Sequence, residues 1–225
     1  MKEDDTEDTQ LSRPARKRNP EESRRRILDA AERAFSLRGF AGARLRDIAQ
    51  EAGVHHALVH HYYGDKRGLF EEVVNRGLSR VSAAGLEALA DPSDFEKTVR
   101  GFIGMLFDFC SNNRSLLRII EGAFRDSDSV AHEVAERSLS TLAGPLLNAL
   151  RGRMAQGQQM GAIRTDLPVE SLILLGFGTV IYRFVTADNM LVAMGVLEDG
   201  PDAVPDLDRE REHAVQYILA AMAPR

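Results

Sequence analysis

The sequence predicts an all-α fold, and three observations support this. Ala, Leu, Arg and Glu are abundant while runs of β-branched residues are short, which favours helices over strands. Apolar side chains recur at the helical period from Ser23 onwards, and Gly, Pro and polar loops interrupt the pattern at intervals. With 225 residues, of which 44% are hydrophobic and 28% charged, the chain is long enough to bury a substantial core.

Cysteine content and hydropathy predict a cytoplasmic protein. Cys110 is the single cysteine, so an internal disulfide cannot form and a stapled secreted scaffold is excluded. The longest apolar run, Leu172–Tyr182, is too short to cross a bilayer, which requires about 20 residues. No signal-peptide pattern opens the sequence. We therefore expect a protein that does not associate with membranes.

Charge is distributed unevenly along the chain. The formal net charge is −5, but residues 11–80 carry +6 while residues 81–225 carry −7 and residues 1–10 carry −4. A basic segment on an acidic body is typical of a protein that meets a polyanion at one end. Random variation in surface charge is the alternative.

The N-terminal third contains four predicted helical segments after an arm. Residues 1–22 form an acidic and then basic arm, which we expect to be disordered. The first helix begins at Ser23 and ends at Gly39, a C-terminal cap, with Phe40 packing back against it. Short helices follow at Leu45–Ala52 and His55–Tyr63, with the turn between them at Gly53. Asp65 is an N-cap for a fourth helix that begins at Lys66.

Two short helices joined by a glycine-containing turn are typical of a helix-turn-helix motif. We assign residues 23–70 to a DNA-binding domain and residues 71–225 to a larger helical domain for effector binding and dimerisation. Within the latter, Ser93 or Asp94 caps a helix that runs to about Cys110, and Pro145 kinks or breaks a later one. Further predicted helices are Ser115–Ala123, Asp126–Gln159, Val169–Thr186, with a possible extension at Asn189–Leu197, and Asp208–Ala223.

Three stretches of the N-terminal third resemble the TetR (tetracycline-repressor) family. They are RILDAAERAFSLRGF at 26–40, LRDIAQEAGV at 45–54 and HHALVHHYYGDKRGLF at 55–70. Their order and spacing match the amphipathic first helix, helix-turn-helix and closing lysine of that family, and Gly161–Pro168 is a weaker match to a later loop. The resemblance implies a homodimeric transcription regulator, in which an effector pocket in the C-terminal region controls the separation of two DNA-reading heads.

The motif supplies candidates for contact with double-stranded operator DNA. His55, His56 and Ala57 begin the recognition helix and are candidates for reading base edges. His60 and Tyr62 stand where the family places phosphate-contacting side chains, and Lys66 matches the lysine that opens its fourth helix. The complete candidate set comprises Arg44, Arg46, His55, His56, Ala57, His60, His61, Tyr62 and Lys66.

This sequence departs from the family at three of these positions. Arg44 replaces the usual Thr or Ser cap, His60 the commoner Tyr, and His55 the usual Ser or Thr cap. The spacing of His56 and His60 could also chelate zinc or nickel if another ligand were available. A metal-responsive regulator is therefore an alternative, although we assign no metal site and no cofactor.

The family resemblance also implies a ligand pocket in the C-terminal region. Its candidate wall contains Phe102, Met105, Phe109, Phe124, Tyr182 and Met190. Aromatic and Met side chains at helical spacing are equally typical of a plain core, which is the alternative. Because the apolar helices lack charged pairs, we expect a mainly hydrophobic effector.

Gly176 and Gly178 stand within the apolar Leu172–Tyr182 stretch of a predicted helix. Glycine inside a helix costs about 1 kcal/mol relative to Ala, and close approach of another helix can compensate. With the last helix, this stretch could form a four-helix dimer interface, or it could pack within one chain.

No nucleophile-and-base arrangement or phosphate-binding loop indicates an enzyme. The sequence thus predicts an effector-released repressor, with a non-specific DNA-architectural protein as the alternative.

Overall fold

The computed structural model describes residues 19–91, 94–125, 127, 129–186 and 206–224. These residues contain no strand, which confirms the all-α prediction. In the same ranges, no helix is long and apolar enough to cross a membrane. The helices are α1 Pro20–Gly42, α2 Leu45–Glu51, α3 His56–Tyr63, α4 Lys66–Ala88, α5 Phe95–Asn112, α6 Arg114–Phe124, α7 Val130–Ser138, α8 Gly144–Gln159, α9 Val169–Val185 and α10 Leu207–Met222.

Side-chain caps fix several helix starts. Asp65 accepts a hydrogen bond from the Gly68 N–H at 2.8 Å, and Asp94 caps α5 in the same way through Lys97. The Asp65 cap was predicted, and Asp94 is one of the two residues predicted to cap α5. The start of α1 was predicted wrongly, because the helix begins at Pro20 rather than Ser23. Asn19 caps this earlier start, and a proline in the first helical position, whose missing N–H has no partner in a helix anyway, favours it.

The first helix breaks at Gly39, as predicted. Gly39 has φ 66° and ψ 177°, a backbone conformation that side chains disfavour, and a single helical turn follows it to Gly42. The break turns Phe40 back towards α4, and the centre of its ring lies 5.1 Å from that of Phe70. A π-helical turn, Leu139–Ala143, joins α7 to α8, and Pro145 lies in the first turn of α8. The possible extension at Asn189–Leu197 lies outside the described residues.

The buried side chains form two clusters. The first joins the core of α1 to α4 with Ile119 and Ala123 of α6 and with Val134 and Ala135 of α7. The second fills the space between α5, α8, α9 and α10. The head defined by α1 to α3 therefore shares one continuous core with α6 and α7, and α4 connects this core to the second cluster.

Ion pairs join α4 to α1 of the head and to α7 of the C-terminal region, which is called the body below. Arg76 of α4 donates hydrogen bonds to Asp29 at 2.7 Å and to Glu32 at 2.6 Å, both on α1. Burial opposes the charge of Arg76, but these two carboxylates outweigh it and raise its pKa. Arg67, at the start of α4, pairs with Glu133 of α7 at 2.8 Å. The N-terminal half of α4 is thus held to α1 on one side and to α7 on the other.

Candidate nucleic-acid interface

The helix-turn-helix is built around a small apolar contact. Ile48 and Ala49 of α2 and Val59 of α3 are buried together, and Val54 packs against them from the turn. Ala52 and Gly53 form that turn, where Gly53 has φ 63°. A side chain there would be strained, so glycine is the residue that permits the chain to reverse between α2 and α3.

Three arginines of α1 hold the motif in place. Arg26 donates a hydrogen bond of 2.7 Å to the Gly53 carbonyl, which fixes the turn itself. Arg33 pairs with Glu51 at 2.6 Å, and Arg38 pairs with Asp47 at 2.9 Å. These cations therefore orient α2 and the turn on α1, and the three are already occupied by partners within the chain.

The N-terminal end of α3 presents His55, His56 and Ala57, all of which are exposed. The Nδ1 of His55 accepts a hydrogen bond of 3.3 Å from the Ala57 N–H, so His55 acts as the N-cap in place of the usual hydroxyl. An accepting Nδ1 assigns the proton of the neutral ring to Nε2, which then faces outward as a donor. The predicted base-reading residues thus lie side by side on one surface.

His60 and His61 continue the exposed face of α3. The rings of His56 and His60 meet edge to face at 4.6 Å. Nδ1 of His60 lies 2.6 Å from the Gly64 carbonyl, an acceptor, so Nδ1 carries the proton. The outer Nε2 of His60 can therefore donate to a phosphate only when the ring is charged. Ser, Tyr and other hydroxyl donors have no such requirement.

Tyr62 and Tyr63 close α3 against α1. The guanidinium of Arg24 lies 4.9 Å from the centre of the half-buried Tyr62 ring. The Tyr63 hydroxyl donates a hydrogen bond of 3.2 Å to the Arg24 carbonyl. Burial, followed by the nearby Glu72 carboxylate, raises the pKa of Tyr63 to about 12. The hydrogen bond from Tyr63 to Arg24 and the contact of Arg24 with Tyr62 together place Tyr62 and Arg24 at the end of the recognition helix.

Lys66 lies at the start of α4, as the sequence predicted, but its ammonium is engaged inside the head. Its Nζ donates a hydrogen bond of 3.0 Å to the Ala41 carbonyl and lies 4.7 Å from the centre of the Phe40 ring. Burial lowers the pKa of this lysine. Lys66 therefore satisfies a carbonyl at the end of α1, so a phosphate contact would have to use its remaining donors.

Other cations of the head are available to a ligand. Arg44 precedes α2 and makes no side-chain cap, which agrees with its replacement of the usual hydroxyl residue. Arg25, Arg44 and Arg46 are exposed. Among the residues the structure describes, none of the three has a side-chain hydrogen bond or an ion pair. All three precede α3 in sequence: Arg25 lies on α1, Arg44 is the residue before α2, and Arg46 lies on α2.

The histidines of α3 do not assemble a metal site. In the described part of the chain, no group of three or more His, Cys, Asp or Glu side chains could hold a metal ion. Glu51, one of the two carboxylates near the histidines in sequence, is paired with Arg33, and Asp65 caps α4. Cys110 is also unsuited to chemistry at neutral pH, because burial raises the pKa of its thiol to about 12.

The predicted effector residues do not line one wall. Phe102 lines an apolar cavity of about 30 Å³ enclosed by α5, α8, α9 and α10, a volume that fits little more than a water molecule. Met105 and Phe109 face a separate groove on the neighbouring face of α5. Phe124 is 41% exposed and stacks edge-on against His132, and Tyr182 is 52% exposed on α9. Met190 lies outside the described residues.

The long-range role of the head arginines was not predicted. Arg26 lies in the predicted first helix, and its partner Gly53 is 27 residues away. No local pattern marks such a pair, because its formation depends on how α1 crosses α2.

The helix-interior glycines of α5 are a signal that was available in the sequence, and they lie beside the groove that Met105 and Phe109 face.

A helix-turn-helix whose second helix is exposed, on a head that also carries exposed arginines, is the arrangement of a DNA-binding protein. Residues 27–73 match the family model described as bacterial regulatory proteins, tetR family. Among curated relatives, the HTH-type transcriptional repressor SCO4008 of Streptomyces coelicolor is 30% identical over 191 residues, covering 84% of this chain and 92% of the relative. The HTH-type transcriptional repressor AcnR of Corynebacterium efficiens is 28% identical, with 84% and 91% covered.

Solved structures show the same fold. A TetR family transcription regulator from Marinobacter aquaeolei superposes with a TM-score of 0.66 at 25% identity, covering 91% of this chain and 97% of its own. FadR from Bacillus subtilis, in complex with stearoyl-CoA, gives 0.68 at 18% identity, with 88% and 98% covered. The chain belongs to the TetR family and is a DNA-binding transcriptional regulator.

Proposed function

We propose that this protein is a homodimeric repressor that reads a palindromic operator with α3 and leaves it when a small, mainly hydrophobic effector binds. The observation that carries the proposal is the exposed face of α3. Among the described residues, its histidines have no acidic partner, and the exposed Arg25 of α1, Arg44 before α2 and Arg46 of α2 are unpaired. In this assignment, the arginines contact phosphates while His55, His56 and Ala57 read base edges.

An apolar face of α9 and α10 supports the dimer. Leu174 is 73% exposed on α9, and Tyr217 is 65% exposed on α10. Gly178 has open space where a side chain would stand, whereas Gly176 faces Ile218 and Met222 of α10 at 3.8 Å. The two glycines therefore serve different contacts: Gly176 packs within the chain, and Gly178 leaves room for a second copy. A two-fold dimer through this face would present two α3 helices to successive major grooves, about 34–36 Å apart.

The proposal of an effector rests on family membership, and the tight packing of the core limits where it can bind. The cavity of about 30 Å³ holds no organic effector, so a ligand must either displace core side chains or bind elsewhere. Stearoyl-CoA bound to the related fold of FadR is in keeping with a largely apolar effector. Binding that favours a separation of the heads unsuited to DNA would weaken operator affinity, and DNA would weaken effector binding by the same factor.

The test is fluorescence anisotropy with DNA from immediately upstream of the gene and with random DNA of equal length, at about 50 and 200 mM salt. Arg44→Gln should weaken binding to both DNAs and reduce the magnitude of the salt slope by about 1, because one phosphate contact is lost. His56→Ala should chiefly reduce the preference for the upstream DNA.

Matched controls come from the same chain. Arg118 on α6 and His213 on α10 are exposed and lie outside the motif. Arg118→Gln and His213→Ala should leave affinity, preference and salt slope unchanged. Equal affinity of the wild type for all sequences tried, including fragments selected from the whole genome, would indicate the non-specific architectural alternative instead of a repressor.

A further inference from the structure

A polar groove of about 440 Å³ lies between α4, α5 and α10 on the body of the protein. It is open to solvent, unlike the small cavity in the apolar core. Its apolar lining comes from the half-buried Met105 and Phe109 of α5. Its polar lining comes from Arg80, Asp108, Asn112, Asn113 and Arg211.

Two glycines inside α5 shape this groove. Gly101 is exposed, with no atom near the place a side chain would occupy, so it leaves the groove open. Gly104 is buried beneath the Arg211 guanidinium, whose Nη2 lies 2.5 Å from the position of an added Cβ. Glycine in a helix interior costs about 1 kcal/mol relative to alanine. Both glycines are thus accounted for by the groove and by the arginine seated beside it.

The groove carries a positive charge on an otherwise acidic body. Arg211 is fixed by Asp108, with its Nε 3.1 Å from the carboxylate oxygen, so one positive and one negative charge offset each other. Arg80 of α4 is exposed and has no hydrogen bond or ion pair among the described residues. Its guanidinium therefore leaves a net positive charge next to the apolar surface of Met105 and Phe109.

We infer that this groove binds an amphipathic organic anion, meaning a carboxylate or phosphate attached to an apolar chain or ring. The anionic group would pair with Arg80, since a guanidinium matches the two oxygens of a carboxylate, and the apolar part would cover Met105 and Phe109. The inference rests on the proposed function, because it names the class and the location of the effector.

The position of the groove gives the ligand a route to the head. Arg80 and Ala84 belong to α4, the helix that Arg76 fixes to α1 of the head through Asp29 and Glu32. A ligand that draws the Arg80 segment towards α5 acts on a rigid element that carries α3 at its other end. A ligand in this groove thereby shifts which position of the head is favoured, although the ligand does not enter the apolar core.

The test is calorimetric titration of the full chain with sodium decanoate, beside decan-1-ol, which lacks the charge, and inorganic phosphate, which lacks the chain. Decanoate should bind, while the other two should bind at least tenfold more weakly. Arg80→Gln should weaken decanoate by about tenfold, the scale of one charge-assisted hydrogen bond. Gly101→Leu, which places a side chain in the open groove, should abolish binding, and Arg118→Gln should leave it unchanged.

Operator affinity, measured separately, distinguishes a failed site from a failed repressor assignment. Decanoate should weaken DNA binding of the wild type and leave that of Gly101→Leu unaltered, while both proteins bind DNA equally without decanoate. Decanoate binding that survives Gly101→Leu, or no binding to a wild type that still binds its operator, would overturn the groove assignment. Binding without any change in DNA affinity would keep the site and refute its regulatory role.

Discussion

Leu116 of α6 fills the space that a side chain at Gly77 of α4 would occupy, with its Cδ2 2.4 Å from the position of an added Cβ. Leu146 of α8 is placed in the same way over Gly85, two turns further along α4. In α4, which links the head to the body, two glycine positions are therefore packed against leucines from two other helices. Such interlocking resists rotation of α4, because any turn of the helix would drive backbone into a buried leucine.

The first prediction concerns this contact. Gly77→Ala should lower the free energy of unfolding by about 1 kcal/mol, because overpacking against Leu116 costs roughly 1–3 kcal/mol and the gain in helix propensity recovers about 1. Gly122→Ala on α6, where an added Cβ meets no atom within 4 Å, is the control and should stabilise the fold. Urea denaturation of both variants measures the difference, and equal stabilisation by the two alanines would refute the interlock.

Lys66 gives a second prediction, which separates a structural role from a role in DNA binding. Lys66→Met keeps the apolar stem over Phe40 but removes the hydrogen bond to the Ala41 carbonyl, so unfolding should require about 1 kcal/mol less. If the remaining donors of Lys66 also contact a phosphate, the salt slope of operator binding should fall in magnitude by about 1. An unchanged slope with reduced stability assigns the lysine to the fold alone.

The Tyr63 hydroxyl yields a prediction about alkaline pH. Its pKa is raised to about 12 in the folded protein from 10.0, so the folded state holds this proton where the unfolded state releases it. The contribution of the neutral hydroxyl is fully present below pH 10.0 and is lost as pH rises towards about 12. Tyr63→Phe should therefore be less stable than the wild type at pH 7, by about 1 kcal/mol for the lost hydrogen bond.

This difference should shrink between pH 10.0 and about 12, since only the wild type carries the titrating hydroxyl. Thermal unfolding of the two proteins across that range measures it. A constant gap between wild type and Tyr63→Phe at every pH would contradict the proposed linkage.

The two glycines of α9 provide the fourth prediction. Gly176→Ala places a methyl group at ordinary contact distance from Ile218 and Met222, so it should stabilise the fold by up to about 1 kcal/mol. Gly178→Arg adds a charged side chain to the exposed face near Leu174 and should convert a dimer into monomers. Sedimentation velocity distinguishes the two states. Gly122→Arg is the matched control, and a dimer that survives Gly178→Arg places the interface elsewhere.

Local signals predicted much of the fold. The caps at Asp65 and Asp94 and the break at Gly39 depend on residues within a few positions of each other, so the sequence contains their complete chemistry. The order and spacing of α1 to α4 were predicted for the same reason. The sequence prediction missed the start of α1, although Asn19 and Pro20 are themselves start signals, because the apolar periodicity on which the prediction rests begins later.

The use of individual cations could not be predicted in this way. Lys66, Arg26 and Arg33 each find a partner 18 or more residues away, and that partner is set by how the helices cross. Phe102 and Met105 illustrate the same limit in the body. They are three residues apart on α5, yet one lines the closed core and the other lines an open groove, since neighbouring faces of that helix meet different partners.

The single apolar cluster that joins α1 to α4 with α6 and α7 has a consequence for modularity. A fragment cut after residue 70 would lack Ile119 and Ala123, which share one buried cluster with Phe70 and the apolar face of α1. A chimaera that exchanges operator preference between relatives should accordingly carry α6 and α7 along with the reading head, or graft only the outward residues of α3. The unit that evolution can transplant is thus discontinuous in sequence, although the motif that reads DNA is not.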